Sequence, residues 1–91
     1  MRRLENKVAI VYGDGAIGGA ISKAFAREGA KVFLTGRTVT KLGAIANEIL
    51  FDGGFVDTAS LDALDEQAVE KHMSETIKEA GQIDISFNAI G

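Results

Sequence analysis

The sequence predicts an α/β fold in which the strands of one parallel sheet alternate with helices. Short apolar runs rich in Val and Ile recur along the chain, and the segments between them carry apolar residues at helical spacing. Glycines stand at most junctions between the two patterns. Strands that alternate with helices are joined by right-handed crossovers, which place helices on both faces of the sheet.

The first strand and the first helix have the clearest patterns. Residues 7–12 are almost continuously apolar, which is typical of a parallel strand buried on both faces. Residues 17–28 carry apolar side chains at helical spacing, and Gly29 follows as a C-terminal stop.

The second strand is predicted at residues 31–35. Thr38 is placed to N-cap a second helix that runs to about residue 50, and Gly53-Gly54 marks the turn after it. We expect the inner face of this helix to be formed by Leu42, Ile45, Ala46 and Ile49.

The third strand is predicted at residues 55–61, although polar residues interrupt it. Asp65 is a candidate N-cap for a third helix that runs to residue 80, and Gly81 ends that helix. The apolar stripe of the helix is predicted to be Val69, Met73, Ile77 and Ala80. A fourth strand is predicted at residues 83–87.

A glycine-rich loop joins the first strand to the first helix. Gly13, Gly15 and Gly18 have the spacing Gly-x-Gly-x-x-Gly, and Ile17 lies at the start of the helix. The first glycine allows a tight turn, the second lets the backbone approach a pyrophosphate, and the third lets the helix pack close to the strand. The helix N-terminus then presents free N–H groups to the phosphates. The sequence therefore predicts a dinucleotide-binding loop in a Rossmann-like, three-layer α/β/α fold.

The predicted strand order identifies the edges of the sheet. A Rossmann half-fold has the order 3-2-1-4, so the third and fourth strands are edges of this partial doubly wound fold. The fourth strand has only Asp84 as edge protection. Its apolar residues are Ile83, Ile85, Phe87 and Ile90. We therefore expect a neighbour to cover it, either a further part of a larger protein whose N-terminal portion this chain forms, or a second copy in a homo-oligomer.

Composition limits the class of protein. A chain of 91 residues argues for a single domain over residues 1–91. The net charge of −3, with scattered basic residues, disfavours a nucleic-acid or anionic membrane partner. Cysteine is absent, and His72 has no second histidine as a partner, so no metal site is predicted. Glu5 and Lys7 interrupt the region where a leader would need apolar residues, so we expect a cytoplasmic protein.

The end of the second strand predicts which dinucleotide is bound. Folds that prefer NAD place an Asp or Glu there to accept hydrogen bonds from the ribose, but this loop has no acid. Arg37 stands where a guanidinium meets a 2′-phosphate, and Thr38 is placed to donate to the same group. The sequence thus favours NADP over NAD. The alternatives are an ordinary loop arginine at Arg37 and a helix-capping role for Thr38.

Ordered segments along nearly the whole chain carry a family resemblance. They are residues 7–11, 17–21, 29–32, 36–37, 61–62 and 84–91. In these segments the chain resembles the short-chain dehydrogenase/reductase family. The resemblance implies that Asp62 and Ala63 border the adenine ring, with Asp62 accepting a hydrogen bond from its exocyclic amine. It also implies that Asn88 begins the family's Asn-Asn-Ala-Gly segment under the cofactor, with Ala89 in place of the second Asn.

The glycine loop departs from the family pattern. The family spaces these glycines Gly-x-x-x-Gly-x-Gly, and this loop is one residue shorter. Tyr12 replaces the usual Thr before the loop, and Asp14 lies inside it. A carboxylate near a pyrophosphate is unfavourable unless it points away, so we expect some loss of cofactor affinity.

The resemblance implies hydride transfer between a nicotinamide cofactor and an alcohol or ketone. The family's chemistry uses a Ser and a Tyr-x-x-x-Lys pair, in which the Tyr acts as acid and base. The single tyrosine is Tyr12, and Ala16 stands four residues later. We interpret Tyr12 as structural, assign no catalytic residue, and expect the catalytic segment beyond Gly91, so that the chain alone is inactive.

Two alternative functions share the predicted layers. A non-catalytic nucleotide-sensing or protein-interaction module would keep the same half-fold, and a Tyr-x-x-x-Lys downstream in the reading frame would favour the enzyme instead. A phospho-receiver domain needs an acidic pair after the first strand, which Gly13-Asp14-Gly15 does not supply.

Overall fold

A computed structural model describes residues 3–89 of the chain. Strands and helices alternate along this range. They are β1 (Val8–Tyr12), α1 (Ala16–Arg27), β2 (Lys31–Gly36), α2 (Val39–Phe51), β3 (Phe55–Ser60), α3 (Glu66–Ala80) and β4 (Ile85–Asn88). Each element was predicted from the sequence, and the bounds differ by at most about two residues, the usual uncertainty at element ends.

The sheet has the strand order β3-β2-β1-β4, and all its strand pairs are parallel. This confirms the predicted order. β1 is central, and all five of its residues are buried. Tyr12 lies opposite Thr35 of β2 and Asn88 of β4. The loops that follow these three strands therefore meet at one edge of the sheet.

Helices cover both faces of the sheet, as the three-layer prediction requires. Because side chains alternate along a strand, β1 contributes to two cores. On one face, Ala9 and Val11 pack with buried residues of α1 and α2. On the other face, Val8, Ile10 and Tyr12 pack with half-buried residues of α3.

α3 begins and ends at the predicted residues. The Asp65 side chain accepts hydrogen bonds from two backbone amides of the first turn, at 3.1 and 3.2 Å, and Gly81 follows the helix with φ 84°. The predicted apolar stripe is wrong at one position, because Ile77 is 48% exposed and Thr76 is buried instead. Adjacent residues are about 100° apart around a helix, so only one of the two faces the sheet.

The fourth strand begins two residues later than predicted. Before it, the Val8 N–H donates to the Asp84 carboxylate at 2.8 Å, and the Asp84 N–H donates to the Val8 carbonyl at 2.9 Å. The hydrogen bond from Val8 lowers the pKa of Asp84. A side chain thus takes over part of the backbone pairing between β1 and the residues before β4.

The two edges of the described sheet differ in character. The polar residues of β3 are exposed, whereas Ile85 and Phe87 of β4 are half-buried. Ile90, which belongs to the predicted apolar edge, lies outside the described residues, as do Gly91 and Arg2.

Two features are absent from residues 3–89. Within this range no helix combines the length and the apolar character needed to span a membrane. The same residues contain no group of three or more His, Cys, Asp or Glu side chains arranged to hold a metal ion.

Candidate functional site

The candidate site is a cavity of about 170 Å³ at the carboxyl ends of the strands. It is lined by the glycine loop, the end of β2, the β3–α3 loop and the residue after β4. Open α/β sheets bind their ligands in a crevice at this edge. The predicted site residues in its lining are Gly13, Gly15, Arg37, Asp62, Ala63 and Ala89. Those outside the lining are Ile17, Gly18, Thr38 and Asn88.

Close backbone contacts hold the glycine loop in place. Gly13 has φ 129°, a conformation that L side chains rarely adopt, and its N–H donates to the Thr35 carbonyl at 2.8 Å. An ideal Cβ on Gly13 would lie 3.1 Å from the Ala89 oxygen. An ideal Cβ on Gly18 would lie 2.7 Å from the Gly13 carbonyl carbon. The helix therefore packs against the loop at a separation that only glycine permits.

The N-terminus of α1 opens onto free space. Gly15 is its N-cap residue, and an ideal Cβ there would have no neighbour within 4 Å among the described residues. Among the described residues of the first turn none is acidic, and Ile17 is 65% exposed. The backbone N–H groups and the positive end of the helix dipole are thus available to an anion.

The Asp14 carboxylate is directed toward the connection between β2 and α2. Its Oδ2 atom accepts a hydrogen bond from the backbone N–H of Thr38, the N-cap residue of α2, at 2.8 Å. An ideal Cβ on Gly36 would lie 2.6 Å from this carboxylate. Thr38 has the predicted N-cap position, but within residues 3–89 its side chain makes no capping hydrogen bond. The hydrogen bond at this N-cap comes instead from the Asp14 carboxylate, which belongs to a different loop, and the sequence pattern did not predict this contact.

Arg37 forms an exposed ion pair with Asp62. The Arg37 Nη2 and Asp62 Oδ2 atoms are 3.4 Å apart, and the Arg37 side chain is 72% exposed. The second Asp62 oxygen accepts a hydrogen bond from the Leu64 N–H at 2.9 Å. An exposed pair of this kind contributes about 1 kcal/mol or less, so a ligand can displace the guanidinium at low cost.

The end of β4 packs beside the glycine loop. Asn88 pairs with Tyr12 in the sheet, and the Ala89 N–H donates to the Tyr12 carbonyl at 2.7 Å. The Ala89 Cβ would lie 3.2 Å from a Cβ on Gly13. A small side chain at Ala89 therefore leaves room for the loop.

Tyr12 lies in the core beneath the site, outside the cavity lining. Its ring is 4% exposed and meets the His72 ring edge-on, with the centroids 6.5 Å apart. Within the described residues, Tyr12 Oη and His72 Nδ1 are buried without a hydrogen-bond partner. Burial raises the pKa of Tyr12 and lowers the pKa of His72. Tyr12 thus has the surroundings of a core residue.

Sequence comparison relates the chain to a family of enzymes. A profile of the family described as short chain dehydrogenase matches residues 7–91. The chain is 34% identical over 92 residues to an uncharacterized oxidoreductase of Mycobacterium tuberculosis. It is 39% identical over 93 residues to one of Bacillus subtilis. Each match covers 100% of this chain but only 35% and 34% of the relative, so the chain spans about a third of their length.

Solved structures share the fold. A short-chain dehydrogenase/reductase from Serratia marcescens has a TM-score of 0.92 and 33% identity, and the match covers 98% of this chain and 37% of that one. A metagenomic short-chain oxidoreductase in complex with NADP has a TM-score of 0.88 and 32% identity, covering 92% and 38%. The described fold is thus common to these proteins over nearly all of this chain.

Proposed function

The chain belongs to the short-chain dehydrogenase/reductase family, and on that premise we propose that it forms the NADP-binding portion of an oxidoreductase. In the proposed reaction a hydride passes between the nicotinamide and an alcohol or ketone, and NAD is the weaker cofactor. The cavity at the carboxyl ends of the strands carries the proposal, because the glycine loop and Arg37 both line it.

The pyrophosphate is proposed to lie over Gly15, at the N-terminus of α1. The open space at Gly15 allows a close approach to the backbone, and the helix dipole favours a negative charge there. Ile17 and Gly18 contribute through their positions in the first turn. Gly13 contributes by packing its backbone against Gly18, which fixes the position of the loop on α1.

The adenosine end is proposed to lie between the end of β2 and the β3–α3 loop. There Arg37 binds the 2′-phosphate with the paired N–H donors of its guanidinium, and Thr38 adds a hydroxyl. Asp62 and Ala63 border the adenine, with Asp62 as acceptor for its amine. The complex of a similar oxidoreductase with NADP supports this choice of cofactor.

The nicotinamide end is proposed to rest on Asn88 and Ala89. No acid or base is assigned within these 91 residues, because the single tyrosine is buried Tyr12 and Ala16 stands four residues after it. Hydride transfer is therefore proposed for the whole protein, and cofactor binding for the chain itself.

Titration with NADPH, NADH and AMP tests the proposal. Nicotinamide fluorescence reports the two dinucleotides, and AMP is measured by competition. We expect saturable binding, tighter for NADPH than for NADH. The absence of saturable binding of any ligand at millimolar concentration would overturn the proposal.

Substitution of Arg37 tests the choice of cofactor. Arg37→Asp should shift the preference toward NADH, because it removes the partner of the 2′-phosphate. Arg27→Asp makes the same change of charge in the last turn of α1, outside the cavity lining, and should leave the preference unchanged. If Arg37→Asp also leaves the ratio of affinities unchanged, Arg37 does not bind the 2′-phosphate.

Self-association through the outer edge of β4 is the proposed mode of assembly. Among the described strands β4 pairs only with β1, and half-buried Ile85 and Phe87 belong to it. An exposed strand edge is a template for pairing with another strand.

A further inference from the structure

We infer that Asp14 sets the balance between NADP and NAD, because its carboxylate occupies the position that the 2′-phosphate of NADP would take. The inference rests on the proposed function, in which this cavity holds a dinucleotide. It makes Asp14 a specificity-determining residue that opposes Arg37, although Asp14 lies in the glycine loop and Arg37 follows β2.

Asp14 already binds the backbone donor that an anion would use at this strand end. Its Oδ2 atom accepts a hydrogen bond from the Thr38 N–H at 2.8 Å, and Thr38 is the N-cap residue of the 13-residue helix α2. Among the described residues of the first turn of α2 none is acidic. The Asp14 carboxylate is thus the negatively charged group that binds the N-terminus of α2.

The packing around Gly36 holds Asp14 at this position. An ideal Cβ on Gly36 would lie 2.6 Å from the Cβ, Cγ and Oδ2 atoms of Asp14. The Asp14 side chain therefore rests directly on the last residue of β2. Both residues line the cavity together with Arg37, so the carboxylate faces the space in which the ribose and its phosphate would lie.

The charge on Asp14 acts against a 2′-phosphate. Such a phosphate carries close to two negative charges at neutral pH. Asp62 also lines the cavity, but the Arg37 guanidinium lies 3.4 Å from its carboxylate. The Asp14 carboxylate instead accepts a hydrogen bond from the neutral Thr38 amide, which does not cancel its charge. A 2′-phosphate must therefore displace this carboxylate to reach the same N–H.

A carboxylate at this position suits the unphosphorylated ribose of NAD. Dinucleotide folds that prefer NAD use an acid at the end of the second strand to accept hydrogen bonds from the ribose hydroxyls. Here Thr35-Gly36-Arg37 contains no acid, and Asp14 brings a carboxylate to the same strand end from the neighbouring loop. Asp14 thus favours NAD, whereas Arg37 favours NADP.

Two nucleotides that differ only in the 2′-phosphate test the inference directly. Dissociation constants for 2′,5′-ADP and 5′-AMP are measured by calorimetry on the 91-residue chain and on Asp14→Asn. The asparagine oxygen still accepts from the Thr38 N–H but carries no charge. We expect Asp14→Asn to tighten binding of 2′,5′-ADP about tenfold, or ~1.4 kcal/mol. Binding of 5′-AMP should change by less than about twofold, or less than ~0.4 kcal/mol.

A matched variant separates the local charge from the total charge. Asp52→Asn removes the same charge after the last turn of α2, at the opposite end of the helix from Thr38. It should leave both dissociation constants unchanged. If Asp52→Asn tightens 2′,5′-ADP as much as Asp14→Asn does, the inference is overturned. Asp14→Ser, which also keeps a hydrogen-bond acceptor, repeats the test if circular dichroism shows that Asp14→Asn is unfolded.

The outcomes distinguish this inference from the proposed function. If the wild-type chain binds both nucleotides but neither Asp14 variant changes the ratio of their affinities, only the inference fails. If the folded wild-type chain and all variants bind neither nucleotide, the proposed function fails, and the inference fails with it.

Discussion

Gly18 of α1 packs against the backbone of Gly13 so closely that an ideal Cβ on Gly18 would lie 2.7 Å from the Gly13 carbonyl carbon. The same Cβ would lie 3.5 Å from the Ala89 side chain. Helix, glycine loop and the end of β4 therefore meet at one point. The closest atoms belong to the backbone, which cannot rotate away as a flexible side chain can.

Substitution of Gly18 should destabilise the fold. Gly18→Ala forces the loop or the helix to move, which we expect to cost about 1–3 kcal/mol. Gly43→Ala is the matched control, because an ideal Cβ on Gly43, inside α2, has no neighbour within 4 Å in the part of the chain that the structure describes. That change should stabilise the chain by about 0.5–1 kcal/mol through helix propensity. Urea unfolding measures the free energy of unfolding of each variant. If Gly18→Ala and Gly43→Ala change it equally, Gly18 is not closely packed against Gly13.

Acidification should destabilise the chain through His72. Burial lowers the pKa of His72 from its usual 6.5, although the charges of Glu75 and Asp57 offset part of this effect. Below about pH 6.5 the unfolded chain therefore binds more protons than the folded chain. The free energy of unfolding should fall as the pH decreases from 6.5 toward the lower pKa of the folded state.

Urea unfolding at a series of pH values from about 7.5 to 5.5 measures this dependence. His72 is the single histidine of the chain, so His72→Gln should flatten the profile in this range. A slope of equal size in the variant would show that other groups cause it.

The outer edge of β4 should drive self-association. We expect light scattering to give an apparent mass that rises with protein concentration. Ser86→Lys places a charge at an exposed position of β4 and should shift the chain toward monomer. Thr58→Lys places the same charge at an exposed position of β3 and should have little effect. A wild-type chain that stays monomeric at high concentration would contradict this assembly.

Local patterns were sufficient to predict the elements of the fold. The apolar run of β1 indicated a strand with two buried faces, and all five of its residues are buried. Asp65 and Gly81 marked the ends of α3, because a capping carboxylate and a left-handed glycine act on the turn next to them. Ile77 was placed wrongly, since helical spacing allows a one-residue rotation that only the packing of α3 on the sheet resolves.

The candidate site was predicted as a location but not as a set of contacts. Six of the ten predicted residues line the cavity, because parallel strands bring their carboxyl ends to one edge. The partners of Arg37 and Thr38 were not predicted. Arg37 pairs with Asp62, 25 residues away in the sequence, and the Thr38 N–H donates to Asp14, 24 residues away.

The sequence by itself determined the order of strands and helices, the strand order of the sheet and the close packing of α1 on the glycine loop at Gly18. These features follow from periodicity, the handedness of crossovers and backbone sterics, all of which act within one or two neighbouring elements. The tertiary structure alone decided where the Asp14 carboxylate lies. That position depends on the register of Tyr12 with Thr35, which brings the loops after β1 and β2 side by side.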